Sequence, residues 1–284
     1  MKGENKMNAK IKDFLRKYTM VIALVIVFIL FCVLTDGRLL YAQNMSNLML
    51  QNGYVLVLAC GMLLCILTGG NIDLSVGSVI CFVGGVAAVL IGSKGFNPFI
   101  TILLCLVIGL LVGVWQGYWI GYKRIPPFIT TLAGMFIFRG LLNLSLQKTG
   151  TIIVPNAGFN ALSNGFIPDL PLHIVLFGNK IHFLTLLIGI VAVVLVIMSQ
   201  IKARKNKQKY NFEVVSMPIF IGTLVFVSAI IMVIIYVLAK YQGIPWTAVI
   251  VGVILLAYNY MLNKTRLGRY IYGIGGNDQA AELS

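Results

Sequence analysis

The chain has 284 residues, 22 Lys and Arg against 8 Asp and Glu, 59% hydrophobic and only 11% charged residues, and a mean hydropathy of +0.95. Soluble globular chains carry roughly 45–50% apolar and about 25% charged residues, so too little polar surface exists here to coat a water-soluble globule. The composition excludes a secreted disulfide scaffold, a disordered tail and a cytosolic enzyme, and it turns the question into how often the chain crosses a bilayer.

A hydrocarbon core of about 30 Å needs on the order of 20 apolar helical residues. Laid along the chain, that ruler finds eight segments, near residues 19–35, 46–67, 74–92, 99–121, 127–146, 183–201, 217–239 and 246–262. They predict an all-α, polytopic transmembrane helix bundle: a basic N-terminus over 1–18, a membrane domain over 19–262 and a terminal segment over 263–284. The first apolar run, Val21 to Leu34, is followed by Thr35-Asp36-Gly37-Arg38 and by no small-residue cleavage site. It reads as a retained anchor, not a signal peptide.

Orientation follows from the loops. With the N-terminus inside, Lys2, Lys6, Lys10, Lys12, Arg16 and Lys17 are cytoplasmic. So are Lys123 and Arg124, the cluster Lys202, Arg204, Lys205, Lys207 and Lys209 in a loop over 202–216, and Lys264, Arg266 and Arg269. Only Arg38, Lys94, Lys148, Lys180 and Lys240 fall outside, which is the bias of a protein with both termini cytoplasmic. The net charge of +14 is thus accounted for by membrane topology, and no nucleic-acid partner is expected. The five cysteines, Cys32, Cys60, Cys65, Cys81 and Cys105, lie inside apolar stretches and read as small hydrophobes.

Between the second and third spans stands Gly69-Gly70-Asn71-Ile72-Asp73-Leu74-Ser75-Val76-Gly77-Ser78. Paired glycines and an Asn break the helix, and Asp73 and Ser75 are placed to accept the orphan N–H groups at the start of span three. Both an ordinary tight cytoplasmic turn and a broken helix pair lining a wet cavity fit that pattern. Early in span two, Asn47, Gln51 and Asn52 recur at about one helical turn, as does the neighbouring Ser46. That face suits a path wet enough for a hydroxylated solute, or hydrogen-bonded glue between helices. Gly109, Gly113 and Gly117, spaced by four, predict close packing of span four.

Arg139 is the one charge well inside a span, roughly 17 Å from the start of its helix at 1.5 Å per residue. Ionisable groups at that depth are functional candidates, although Arg139 also fits a structural role, snorkelling or tying down free carbonyls. The outer connection over 147–182 carries Pro155, Pro168, Pro171, His173 and His182. It fits either a docking surface for an external partner or an irregular loop with one interfacial turn. No metal is expected there, since neither histidine has a neighbouring Cys or a plausible set of acidic partners. At the chain's end, Gly275-Gly276-Asn277-Asp278 predicts the cap of a short helix beginning near Gln279.

The run at 69–78 resembles the Gly-x-Ile-Asp-Leu-Ser-Val-Gly-Ser signature of ABC sugar-importer permeases of the ribose, xylose and multiple-monosaccharide type. Ile125-Pro126-Pro127-Phe128-Ile129-Thr130-Thr131-Leu132-Ala133-Gly134, Phe138-Arg139-Gly140-Leu141, Gly243-Ile244-Pro245 and the run from Thr265 to Ser284 agree with that family. The likeness extends from about Asn44 to the last residue. Trp115-Gln116-Gly117 has Gln where ribose permeases usually have Asn, which tilts it toward the xylose and multiple-monosaccharide branch.

The resemblance implies a non-enzymatic permease subunit of a bacterial plasma (inner) membrane importer for monosaccharides, working by alternating access. It implies as partners an ATP-binding cassette ATPase, an external sugar-binding protein and a second permease copy. It implies substrate-path candidates among Asn47, Gln51, Asn52, Gln116 and Arg139, and a helix break built on Gly69, Gly70, Asn71, Asp73, Ser75 and Gly77. Arg269, Gly275, Gly276, Asn277, Ala280, Ala281 and Glu282 would form the segment that couples to the ATPase. With no Gly-x-x-x-x-Gly-Lys-Ser/Thr loop in the chain, ATP and Mg belong to the partner and this chain binds no cofactor. Relatives continue through a second group of spans, so the resemblance also implies that a C-terminal portion is lacking. An ion-coupled secondary transporter of a small polar solute is the alternative, with Asp73 its sole candidate acid. A membrane-embedded transferase lacks a clustered nucleophile, base or metal set.

Overall fold

A computed structural model describes residues 19–20, 22–147, 150–170, 174–176, 179–212 and 214–283. The N-terminus over 1–18, Val21, Lys148, Pro171, His173, Ser284 and the Lys180, Asp278 and Glu282 side chains, all drawn on above, lie outside the described residues.

The helices run in the order α1 (Ile22–Leu34), α2 (Ala42–Leu67), α3 (Val76–Ala88), α4 (Pro98–Gly117), α5 (Pro127–Leu146), α6 (Ala157–Asn164), α7 (Phe183–Lys209), α8 (Met217–Ala239), α9 (Trp246–Lys264), α10 (Arg266–Gly276) and α11 (Asp278–Glu282). Strands β1 (Ile174–Leu176) and β2 (Asn179–Ile181) form a hairpin before α7, with Val175 opposite Lys180. Among the described residues seven helices are long and apolar enough to span a bilayer; α1, helical also at Thr19 and Met20, falls below that length. The fold class is an all-α polytopic bundle.

Local chemistry sets the helix boundaries. Proline occupies the first turn of α4, α5 and α8, where its missing N–H costs nothing, and Asn97 Oδ1 caps α4 by accepting from Phe99 N at 2.9 Å. α3 and α4 each end in a π turn, Val89–Ser93 and Tyr118–Tyr122. Two expectations need correction. The segment expected as a loop over 202–216 is helical through Lys209: a hydropathy ruler stops at the membrane interface, whereas Lys, Arg and Gln are good helix formers that carry α7 into water. The connection over 147–182 is more ordered than one interfacial turn, holding α6 and the β1–β2 hairpin.

The chain divides into two compact units, residues 1–48 with 168–244, and residues 49–167 with 245–284. In the first, α7 packs on α8 through Gly189, where a Cβ would meet Ile235, and Ile181, Leu238, Ala239 and Ile244 are buried. In the second, α3 packs on α4 and α5. Phe138 of α5 is buried between Phe82 and Trp115, ring centroids 5.7 and 6.1 Å away. α6 is tied to the start of α9 by Trp246 N donating to Gly165 O and Thr247 Oγ1 donating to Ser163 O, both 3.0 Å.

The usual inside-outside contrast is blurred, with polar side chains buried beside apolar ones and large apolar ones exposed. Leu103, Leu106, Leu110 and Val114 form an exposed stripe on α4, while the buried side chains include Ser46, Ser75, Ser78, Thr101, Gln116, Thr130, Thr131 and Thr185. Lipid tails are as apolar as leucine, so no hydrophobic force draws Leu inward, and small and hydrogen-bonding residues make many of the helix contacts. The expectation that Gly109, Gly113 and Gly117 pack span four closely is corrected: among the described residues nothing lies within 4 Å of where a Cβ on any of them would stand.

Candidate functional site

The site begins where α2 stops. Gly69 and Gly70 take φ values of 110° and 77°, a region that side chains other than glycine's resist. Thr68 Oγ1 donates to Cys65 O at 2.9 Å and Asn71 Nδ2 to Thr68 O at 3.1 Å, closing off carbonyls at the helix end. The chain then runs without regular structure to Ser75.

Asp73 Oδ1 accepts from Ser75 N at 2.8 Å and from Ser75 Oγ at 2.7 Å. Ser75 Oγ in turn accepts from Gln116 Nε2 at 2.7 Å. The expectation that the Ser75 side chain caps α3 is therefore corrected: its proton goes to Asp73 and its lone pair to Gln116, and no α3 amide is capped by it. The break is tied to α4 by this relay. Gly134 of α5 closes over it, since a Cβ there would lie 2.7 Å from Gln116 Nε2. Thr131 Oγ1 donates to Pro127 O at 2.8 Å, and Thr130 Oγ1 is buried without a partner among the described residues.

Arg139 and Gln116, grouped as path candidates, are separated in role. Gln116 is buried and committed to Ser75. Arg139 is exposed and lines a cavity of about 540 Å³ between α3 and α5, together with Gly77, Ser78, Cys81 and Asn143. No ion pair joins it to Asp73 among the described residues. On α2, Asn47 is half-buried and Gln51 and Asn52 are exposed; the Arg139 cavity does not include them. Sequence reasoning missed Ser78, Cys81 and Asn143. The signal for Asn143 was its spacing of four from Arg139, which puts the two on one helix face.

The terminal segment is two helices, not one. Thr265 caps α10, its Oγ1 accepting from Gly268 N at 3.3 Å, and Asn277 caps α11, its Oδ1 accepting from Ala280 N at 3.1 Å. Arg269, Asn277, Ala280 and Ala281 line one open groove of about 1190 Å³ with Arg124. Gly275 faces elsewhere: a Cβ on it would overlap the Leu67 carbonyl at the end of α2 and come within 3.8 Å of Gly69 N, while around Gly276 there is open space. Two glycine motifs about two hundred residues apart in sequence thus meet at the helix break.

In the first unit, Asp169 caps α7. Its Oδ2 accepts from Phe183 N at 3.1 Å, its Oδ1 from Leu184 N at 3.0 Å and Leu170 N at 2.9 Å, and His182 Nδ1 lies 3.3 Å away. Burial alone would raise the Asp169 carboxyl, but the Leu184 and Phe183 amides, the His182 ring and the Leu170 amide hold it below the ordinary carboxylate value. Among the described residues no group of three His, Cys, Asp or Glu side chains is placed to hold a metal.

The family described as "Branched-chain amino acid transport system / permease component" matches residues 44–200. The xylose transport system permease protein XylH of Haemophilus influenzae is 34% identical over 271 residues, covering 95% of this chain and 68% of that protein. The XylH of Escherichia coli K12 is 32% identical, over 95% of this chain and 65% of its own length. The ribose import permease protein RbsC of the same strain is 26% identical, over 85% and 53%. The chain therefore spans about two thirds of the length of the xylose permeases and about half that of the ribose permease. No solved structure matches it. With the family covering more than half of the chain, the helix break and the span pattern have their explanation: this chain belongs to that family of ABC-transporter permease components, in the branch of the xylose and ribose permeases.

Proposed function

We propose that the chain is the membrane-spanning permease subunit of an ATP-driven monosaccharide importer in the bacterial inner membrane. It works as a pair of permease copies with a separate ATPase, which holds ATP and Mg, and with an external sugar-binding protein; the chain itself binds no cofactor and catalyses no reaction. Both termini are cytoplasmic. α10 and α11 seat against the ATPase through the groove containing Arg124, Arg269, Asn277, Ala280 and Ala281, a helix-in-groove contact. Closure of the ATPase displaces α10, and alternating access follows as spans tilt about a fixed unit.

The observation that carries this reading is the contact of α10 with the end of α2 at Gly275, beside the Gly69–Gly70 corner. A push arriving at α10 bears directly on the last carbonyl of α2. A methyl at Gly275 forces the two backbones apart, and overpacking of this kind costs about 1–3 kcal/mol, enough to shift a two-state equilibrium by about 5- to 150-fold. In vesicles containing the assembled importer, Gly275→Ala lowers ATP-driven xylose uptake about tenfold while the ATPase still co-purifies. Gly276→Trp and Glu282→Ala instead weaken co-purification. Unchanged uptake in Gly275→Ala removes the proposed route of the push, and a wild-type complex that moves no monosaccharide removes the function.

A further inference from the structure

Arg139 stands about 18 Å along α5 from Pro127 and about 10 Å short of Leu146 at 1.5 Å per residue, so both ends of the helix are distant. It is exposed, and among the described residues it makes neither a hydrogen bond nor an ion pair. A bare guanidinium facing lipid at that depth costs at least about 2.5–3.5 kcal/mol. The side chain therefore needs water, a polar solute or polar protein groups beside it.

Its surroundings supply that setting. Asn143, one turn farther along α5, is exposed and makes no hydrogen bond among the described residues. Across the cavity, Ser78 of α3 is only 9% exposed and its hydroxyl has no hydrogen-bond partner among the described residues. Cys81 is exposed one turn beyond Ser78, and Leu74 and Leu142 supply apolar wall. The cavity, about 540 Å³, lies within the roughly 300–1,000 Å³ range of small-molecule sites. Three unspent polar side chains converge on it: the guanidinium offers five donors, the amide both donors and an acceptor, the hydroxyl one of each. No carboxylate lines it.

We infer that Arg139, Asn143 and Ser78 form a wet sugar-contact station within the span region, where a monosaccharide's hydroxyls accept from the guanidinium and exchange hydrogen bonds with the amide and hydroxyl while Leu74 and Leu142 pack on its C–H face. The inference rests on the permease reading above and names residues that contact the passing solute.

Cys81 is a built-in reporter. In protein whose Cys32, Cys60, Cys65 and Cys105 are replaced by serine, Cys81 in membrane vesicles reacts with membrane-impermeant methanethiosulfonates. Relative to their rates with a free thiol, the anionic ethylsulfonate reagent is favoured over the cationic ethyltrimethylammonium reagent by on the order of tenfold, because the unpaired guanidinium concentrates anions. Arg139→Gln abolishes that preference and Arg139→Lys retains it. D-xylose slows the labelling severalfold and equimolar glycine betaine does not, and Asn143→Ala with Ser78→Ala removes the xylose protection. A Cys81 inaccessible to both reagents, a charge preference that survives Arg139→Gln, or labelling indifferent to xylose overturns the station. Uptake by the assembled importer separates the two ideas: normal xylose import with labelling indifferent to xylose sinks the station alone, whereas absence of import from the wild-type complex sinks the permease reading and the station with it.

Discussion

Ser75→Ala probes the relay that holds the helix break to α4. Ser75 is fully buried, and its hydroxyl makes two bonds of 2.7 Å, donating to Asp73 Oδ1 and accepting from Gln116 Nε2. A hydrogen bond to a charged group contributes about 1.5–3 kcal/mol, and the low end applies because Asp73 Oδ1 keeps the Ser75 amide at 2.8 Å. Alanine also strands the Gln116 amide in a site that Gly134 seals, and an unsatisfied buried donor costs about 1–3 kcal/mol. The substitution should destabilise the protein by about 3 kcal/mol, read as the free energy of unfolding in detergent micelles titrated with dodecyl sulfate. Gln116→Leu alone costs less, and the double substitution recovers the stranded-amide part. The coupling should fall between about 0.6 and 1.7 kcal/mol, the average and upper range for such bonds inside membrane proteins. Ser78→Ala, which removes no hydrogen bond seen among the described residues, changes stability by less than about 0.5 kcal/mol. A Ser75→Ala loss below about 1 kcal/mol, or strict additivity with Gln116→Leu, refutes a relay that matters energetically.

Two further expectations concern the other unit. Gly189→Ala drives a methyl to 2.4 Å from Ile235 Cγ2, so it should cost about 1–3 kcal/mol by overpacking, and Gly189→Ala combined with Ile235→Val should regain part of it in the same titration. Asp169 has a depressed pKa, so its capping of α7 stabilises the fold above the unfolded carboxylate value of about 3.9 and is lost as pH falls through the lower folded value. Hydrogen exchange of the Phe183 and Leu184 amides should therefore be faster in Asp169→Asn than in wild type at pH 7, with the gap closing below about pH 4; a gap independent of pH contradicts the charge-assisted cap.

The sequence revealed more of the spans than of the site, for a physical reason. Hydrophobic length is a local property, so residues 217–239 coincide with α8, and the other long spans lie within a few residues of their expected ends except where α7 continues through its basic tail. The break at Gly69–Gly70 was also legible, because glycine pairs interrupt helices wherever they occur. The partners were not. Nothing near Ser75 announces Gln116, forty-one residues on, and nothing near Leu67 announces Gly275. Several of the contacts that matter here are made by small and polar residues, which leave no periodic trace in a sequence so largely apolar. Arg139 stood out because charge is rare in a span, whereas Asn143 and Ser78 look like ordinary helix glue until the cavity joins them.

These contacts divide the second unit into parts that hold and a part that turns. Phe138, Gly134 and the Asp73–Ser75–Gln116 relay bind α3, α4 and α5 to one another. α10 bears on the far side of the break, against the last carbonyl of α2. Between them lie two glycines at positive φ, with Asp73 N to Met62 Sδ, 3.5 Å, reaching back from the locked side to α2. A sulfur acceptor is weak, so rotation at Gly69 and Gly70 meets little resistance there. In the proposed cycle the end of α2 therefore moves with α10 while the cavity beside Arg139 keeps its walls, both of which belong to the locked helices. On that proposal, what would alternate is access to the cavity, whose walls stay with α3 and α5.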